Sequence, residues 1–130
     1  MKQIIEFINE KLVINKNTKI NKYHYHPKTR SELEKLISKL IDERGNEADL
    51  NDIDTSEITD MQYLFSSTEF NGDISQWDVS NVKDMYQMFY NSSFNGDISE
   101  WNITNLYLNG MKQMFKYCPL EKHPPKWYKK

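Results

Sequence analysis

Residues 54–77, DTSEITDMQYLFSSTEFNGDISQW, and residues 78–101, DVSNVKDMYQMFYNSSFNGDISEW, agree at 12 of 24 positions. A tandem repeat of this length restricts the chain to architectures in which like units lie against one another. A third copy begins at Asn102 and, after two extra residues around Asn109 and Gly110, regains the pattern, with Met111, Met114 and Phe115 answering Met85, Met88 and Phe89. It ends at Pro119. In the other direction Leu50 and Ile53 stand 24 residues before Ile74 and Trp77, so a partial copy precedes the first full one.

Each copy carries an LxxLxL-like core: Leu50, Ile53, Thr55, then Ile74, Trp77, Val79, then Ile98, Trp101, Ile103. The closing spacing of two predicts a short strand, on which alternate side chains share a face. The spacing of Val82, Met85, Met88 and Phe89 that follows is helical. Asn71-Gly72-Asp73 and Asn95-Gly96-Asp97 read as turns, with a Gly able to take positive φ. The expected fold is therefore α/β: a short leucine-rich-repeat-like solenoid, with one strand and one helical turn per repeat and an N-terminal helical cap. No copy can bury both faces alone, so the copies must stack and their ends must be covered.

The flanks supply candidates for that cover. Ile4, Ile5, Ile8 and Leu12 recur at helical spacing, and residues 22–26 alternate as a short strand ended by Pro27. A second helix follows, capped by Thr29 or Ser31, with Leu33, Leu36, Ile37, Leu40 and Ile41 on one face and Gly45 to stop it. The chain divides into a cap over 1–46, repeats over 47–118 (47–53, 54–77, 78–101 and 102–118) and a basic tail over 119–130, KHPPKWYKK being unable to continue the repeat. One domain is expected at 130 residues.

Charge is segregated. Lys and Arg against Asp and Glu number 10 to 6 in residues 1–44, 1 to 12 in 45–110 and 6 to 1 in 111–130, that is +4, -11 and +5, for a net charge of -2. The central segment repels nucleic-acid phosphate and attracts basic surfaces, so no direct nucleic-acid contact is expected. The single cysteine, Cys118, excludes an intrachain disulfide and reads as a small hydrophobe. No stretch approaches a membrane span, and MKQIIEFINEKL lacks the apolar run and cleavage site of an export signal, which gives a cytoplasmic expectation.

The TDMxxLF and KDMxxMF cores, the FNGDIS turn and the closing Trp-Asp resemble the BspA-like leucine-rich family of bacterial surface-protein repeats, a domain of unknown function. The segment PKTRSELEKLISKLIDERGNEADLNDIDTS is similar to the unit leading into such arrays, so the resemblance spans roughly residues 23–118. It implies a repeat array that binds proteins or surfaces, often in a secreted or lipid-anchored setting, and brings no catalytic residues with it.

If Trp77 and Val79 point inward, their neighbours point to solvent. Asp52, Asp54 and Ser56, then Gln76, Asp78 and Ser80, then Glu100, Asn102 and Thr104 then form a ladder across the concave face. That ladder is the candidate partner-binding strip; the alternative is that Asp54 and Asp78 cap the helix that follows. Trp77 and Trp101 hold inward positions and are core, as are Phe70, Phe94, Met61, Met85 and Met111. His24 and His26 share a strand face, a geometry that holds a metal only with a third ligand, and the acidic turns lack the calcium loop pattern. No metal and no cofactor is expected. Neither a Gly-rich phosphate loop, nor a G-x-S-x-G elbow, nor a Cys–His pair is present, which argues against an enzyme. Lys122, His123, Lys126, Trp127, Tyr128, Lys129 and Lys130 mix cations with aromatics, a pattern more often solvated than functional.

These residues predict a non-enzymatic protein-binding module using an acidic concave strand face. Two alternatives stand beside it: an inhibitor that imitates a polyanion and blocks a basic nucleic-acid-binding groove, and a fragment of a surface adhesin. Exposed strand edges leave homodimerisation open.

Overall fold

The computed structural model describes residues 23–129. The expected helix over Ile4, Ile5, Ile8 and Leu12 lies outside the described residues.

One α-helix, α1 (Arg30–Arg44), and one short 3-10 helix, Pro119–Glu121, are the regular elements of the described chain. Thr29 caps α1, its side-chain oxygen accepting from the Glu32 N–H, while Gly45 at φ 95° ends it and returns its own N–H to the Ile41 carbonyl. Leu33, Ile37 and Leu40 are buried on one face, with Leu36 and Ile41 half-covered beside them. This is the spacing expected of an amphipathic helix.

The strand-plus-helix solenoid is not what forms. No sheet is present among the described residues, and the only bridges there are the isolated parallel pairs Tyr25–Ile53, Asp49–Asp73 and Asp60–Asp84. The copies are instead chains of tight turns closed by N–H(i+3) to C=O(i) bonds. Ile53 donates to Leu50, Ile58 to Thr55, Leu64 to Met61 and Ser66 to Tyr63. Trp77 to Ile74, Val82 to Val79, Met88 to Met85 and Tyr90 to Gln87 repeat the set one copy later.

The physical reason lies in the backbone. Tyr63, Gln87 and Gln113, and then Ser67, Asn91 and Tyr117, all sit in the left-handed region, with φ between 51° and 62°. A helix cannot pass through a left-handed residue every fourth position. Turns so linked still bring residues i, i+3 and i+4 to one side, so Met61, Leu64 and Phe65, and Met85, Met88 and Phe89, are buried in a pattern that imitates a helix.

The copies do stack. Along residues 61–67, alternate N–H groups of Met61, Tyr63, Phe65 and Ser67 donate to the carbonyls of Asp84, Tyr86, Met88 and Tyr90 in the next copy. Met85, Gln87, Phe89 and Asn91 donate likewise to Gly110, Lys112, Met114 and Lys116. Aromatic columns run through the register. Phe65, Phe89 and Phe115 stack at centroid distances of 5.6 and 5.8 Å, and Phe70 lies over Phe94 at 6.2 Å.

Gly72 and Gly96 do not serve as positive-φ turn residues; among the described glycines only Gly45 has that conformation. A Cβ on Gly72 would overlap the Ala48 carbonyl oxygen of the preceding copy, so its role is to let two backbones meet.

The indoles form a third column. Trp77 Nε1 donates to the Leu50 carbonyl, Trp101 to Ile74, and Trp127 to Ile98 at 2.9 Å. Trp127 also stacks on Trp101, with centroids 6.4 Å apart and planes 11° off parallel. KHPPKWYKK thus supplies the third indole of the series, lying across the last copy.

Candidate functional site

All eight aspartates of residues 45–110 are engaged in building the fold. Seven accept the backbone N–H two residues ahead: Asp49 from Asn51, Asp54 from Ser56, Asp60 from Gln62, Asp73 from Ser75, Asp78 from Ser80, Asp84 from Tyr86 and Asp97 from Ser99. Asn102 does the same for Thr104, with Oδ1 3.1 Å from the N–H and 2.8 Å from the hydroxyl. An oxygen on a short side chain satisfies the N–H that a tight turn would otherwise leave unpaired, which is why Asp recurs at these places. Asp54 and Asp78 therefore cap turns, where a helix was expected.

The nine ladder positions fall in three columns one copy apart. Copies are tied across the ladder by Thr55 Oγ1 to the Asp78 carbonyl, and by Asn81 and Asn105 Nδ2 to the Ser56 and Ser80 carbonyls. The Gln76 N–H reaches back to Asn51 Oδ1. The ladder is built of turns, which corrects the expected strand face.

Its members differ in what remains available to a partner. Asp52 is drawn aside: Arg44 grips it with two bonds of 3.0 Å, and His24 Nδ1 lies 3.0 Å from Oδ2, which it shares with Arg44 Nη2. The Arg44 guanidinium holds the Asp52 carboxyl at about 2, against the opposing pull of partial burial, with His24 assisting. At Asp54, partial burial pushes the carboxyl up, but bonds from Ser56 and His26 outweigh it and the net shift is downward. Ser56 and Ser80 are half-covered, whereas Gln76, Asp78, Glu100, Asn102 and Thr104 are exposed. Only Gln76 and Glu100 among the nine have side chains with no hydrogen-bond partner among the described residues.

Two features escaped the sequence reading. The Asp49, Asp73 and Asp97 column is a second ladder; Asn51 and then the Ser75 N–H and hydroxyl lower the Asp73 carboxyl, and Ser99 lowers that of Asp97. The recurring Asp-x-Ser triplet could have revealed it. The extra residues of the third copy also turn Tyr107 and Leu108 outward, Leu108 being 97% exposed.

His24 and His26 share a face and point to Asp52 and Asp54. No group of three or more His, Cys, Asp or Glu able to hold a metal occurs among the described residues. Cys118 is buried with its thiol donating to the Phe94 carbonyl at 3.2 Å, and burial pushes that thiol up. No described helix is long and apolar enough to cross a membrane.

A family model described as "Mycoplasma protein of unknown function, DUF285" matches residues 31–127. No curated protein and no solved structure matches the chain.

Proposed function

The chain belongs to the DUF285 family, and from that premise we propose that it is a non-enzymatic protein-binding module whose partner meets the outer columns of the turn stack. One observation carries the reading: Gln76, Asp78, Glu100, Asn102 and Thr104 are exposed at equivalent positions of successive copies, and hydrogen bonds within the turns hold Asp78, Asn102 and Thr104 in place, so a partner would meet a partly preorganised surface. Asp52 and Asp54 act as the strip's anchor to α1 and residues 23–26, and do not contact the partner directly.

The test must leave the turns intact. Gln76→Lys and Glu100→Lys change the two ladder side chains that hold nothing in place. The double variant, shown to melt like the parent, should lose a basic partner that the parent captures at low salt. If parent and variant capture the same partner equally, the strip is not the site.

A second reading, an inhibitor that imitates a polyanion, rests on the -11 balance of residues 45–110. It requires binding to a basic nucleic-acid-binding protein that DNA or RNA competes away and that weakens steeply with salt. An adaptor held by apolar anchors would show neither.

A further inference from the structure

The third copy departs from the one before at Leu108 and Asn109, and the departure puts an aliphatic side chain wholly in solvent. Met85 donates its N–H to the Gly110 carbonyl as Met61 does to Asp84, and Tyr107 donates to Lys83 at 2.8 Å as Lys83 does to Thr59. Tyr107 and Gly110 thus take the places of Lys83 and Asp84, and Leu108 and Asn109 between them have no counterpart in the copy before. They form the corner of a turn that the Gly110 N–H closes on the Tyr107 carbonyl at 2.8 Å. A Cβ on Gly110 would come within 2.8 Å of the Lys83 carbonyl oxygen and 3.0 Å of that of Tyr107, so a glycine lets this turn close against the stack. With both ends bonded to the copy before, the corner is held in one shape.

Leu108 is 97% exposed and Tyr107 61%, whereas every other described Leu, Ile, Val, Met and Phe is buried or partly covered. Charge around the corner has one sign. From Trp101 to Leu120 the sequence holds no Asp or Glu, and in the column of Asp60 and Asp84 the third copy has Gly110. Lys83, whose carbonyl anchors Tyr107, is the single Lys or Arg of residues 45–110. The Lys112 N–H donates to the Asn109 carbonyl at 3.2 Å, and the Lys129 N–H lies 3.1 Å from Met111 Sδ, which brings a lysine of the tail beside the same turn. All three lysines are exposed, and none is in an ion pair among the described residues.

We infer that the corner at Tyr107, Leu108 and Asn109 is a membrane wedge, by which the last copy docks on an anionic lipid surface. Leu108 enters the acyl boundary, the Tyr107 ring lies at headgroup level, and Lys83, Lys112 and Lys129 meet lipid phosphates. A single projecting aliphatic side chain offers too little area for a specific protein interface, but a fluid layer takes it in without a matching pocket. The flanking charge is cationic throughout, which matches an anionic layer and not a neutral one. This surface is separate from the polar strip of Gln76 and Glu100, and neither reading depends on the other.

The test is co-sedimentation of the full chain, at low salt, with vesicles of phosphatidylcholine mixed with phosphatidylglycerol and with vesicles of phosphatidylcholine alone. The chain should bind the mixed vesicles at least about tenfold more tightly, since each lysine near an anionic surface contributes roughly a factor of five. Leu108→Ser changes a side chain outside the core, so it should melt like the parent and bind at least about fivefold more weakly. Lys112→Gln with Lys129→Gln should weaken binding about tenfold or more. Leu108→Trp should retain binding, and its added indole should be quenched by brominated acyl chains, which reads insertion and not adsorption alone. Failure to bind the mixed vesicles, undiminished binding of Leu108→Ser, equal binding of the neutral vesicles, or an unquenched indole would each overturn the proposal. So would a dimer in lipid-free solution that Leu108→Ser dissociates, which would assign the corner to a second copy of the chain.

Discussion

Asp52→Asn should destabilise the protein by an amount that depends on pH in a way the structure fixes. Asp52 joins three parts of the chain: the last residue of α1 through Arg44, residues 23–26 through His24, and its own copy. Its carboxyl is lowered from 3.8 to about 2, and at 18% side-chain exposure the shift is not dominated by solvent screening. A depressed carboxyl stabilises the fold above its unfolded pKa, and that contribution fades as pH falls through the folded value. At about 1.4 kcal/mol per pKa unit the carboxylate contributes roughly 2 kcal/mol at pH 7, about 1 kcal/mol at pH 3 and under about 0.5 kcal/mol at pH 2. Urea unfolding of parent and variant at these three pH values reads the difference directly. Its slope with denaturant should be unchanged, since no surface is newly exposed. A difference at pH 7 below about 0.5 kcal/mol, the value of an ordinary exposed pair, would refute the anchoring role. So would a larger difference that does not shrink on acidification.

Three further outcomes follow from the packing. Arg30 Nε donates at 2.6 Å to the Gln62 carbonyl, whose equivalent Tyr86 accepts a backbone N–H from the copy before. Arg30→Met should therefore cost about 1–3 kcal/mol in chemical denaturation by leaving that carbonyl without a donor. Gly72→Ala places a methyl on the Ala48 carbonyl and should cost about 1–3 kcal/mol or more, read as a lowered melting temperature; an unchanged melt would mean that the two backbones can separate freely. Cys118 is buried and its thiol pushed up by that burial, so labelling by a thiol reagent at pH 8 should be slow in the native protein and fast in urea. Rapid native labelling would show that the last copy opens readily.

Much of the core was legible because burial needs only a side of the chain, whatever backbone produces it. Trp77, Trp101, Phe70, Phe94, Met61 and Met85 are all buried as their repeat positions require. The helix α1 was legible for a stronger reason: Thr29, the apolar face and Gly45 agree on one element. The interior of the repeat was not. Spacings of two, three and four residues are shared by strands, helices and linked turns, and what separates them is the left-handed backbone at Tyr63, Ser67 and their equivalents. None of those residues is glycine, so no glycine flagged the conformation. The acidic ladder was legible as a set of positions but not as a set of roles. An Asp that caps a turn and an Asp that awaits a partner look alike until the N–H two residues ahead is located. Trp127 was missed because the two extra residues of the third copy and the prolines before it hide its place in the indole series.

The direction of the hydrogen bonds explains the charge segregation better than any partner does at one end and worse at the other. Carbonyls face outward at the start of the stack, and α1 supplies cations to them from its first and last residues. Arg30 takes Gln62, and Arg44 takes the Asp49 carbonyl, whose equivalent Asp73 accepts from Leu50. Two arginines of the N-terminal part thus stand in for the donors of a missing copy. The same logic applied to the last copy, which presents N–H groups, calls for acids, and the chain provides one, Glu121. The remaining charges of residues 111–130 are six Lys against that single Glu, the reverse of what closing this edge would need. One of these cations, Lys116, is laid over the Tyr117 ring, its Nζ 5.1 Å from the ring centroid. The cations of this end therefore answer to side chains such as Tyr117, and not to the direction of the backbone hydrogen bonds that Arg30 and Arg44 complete at the other.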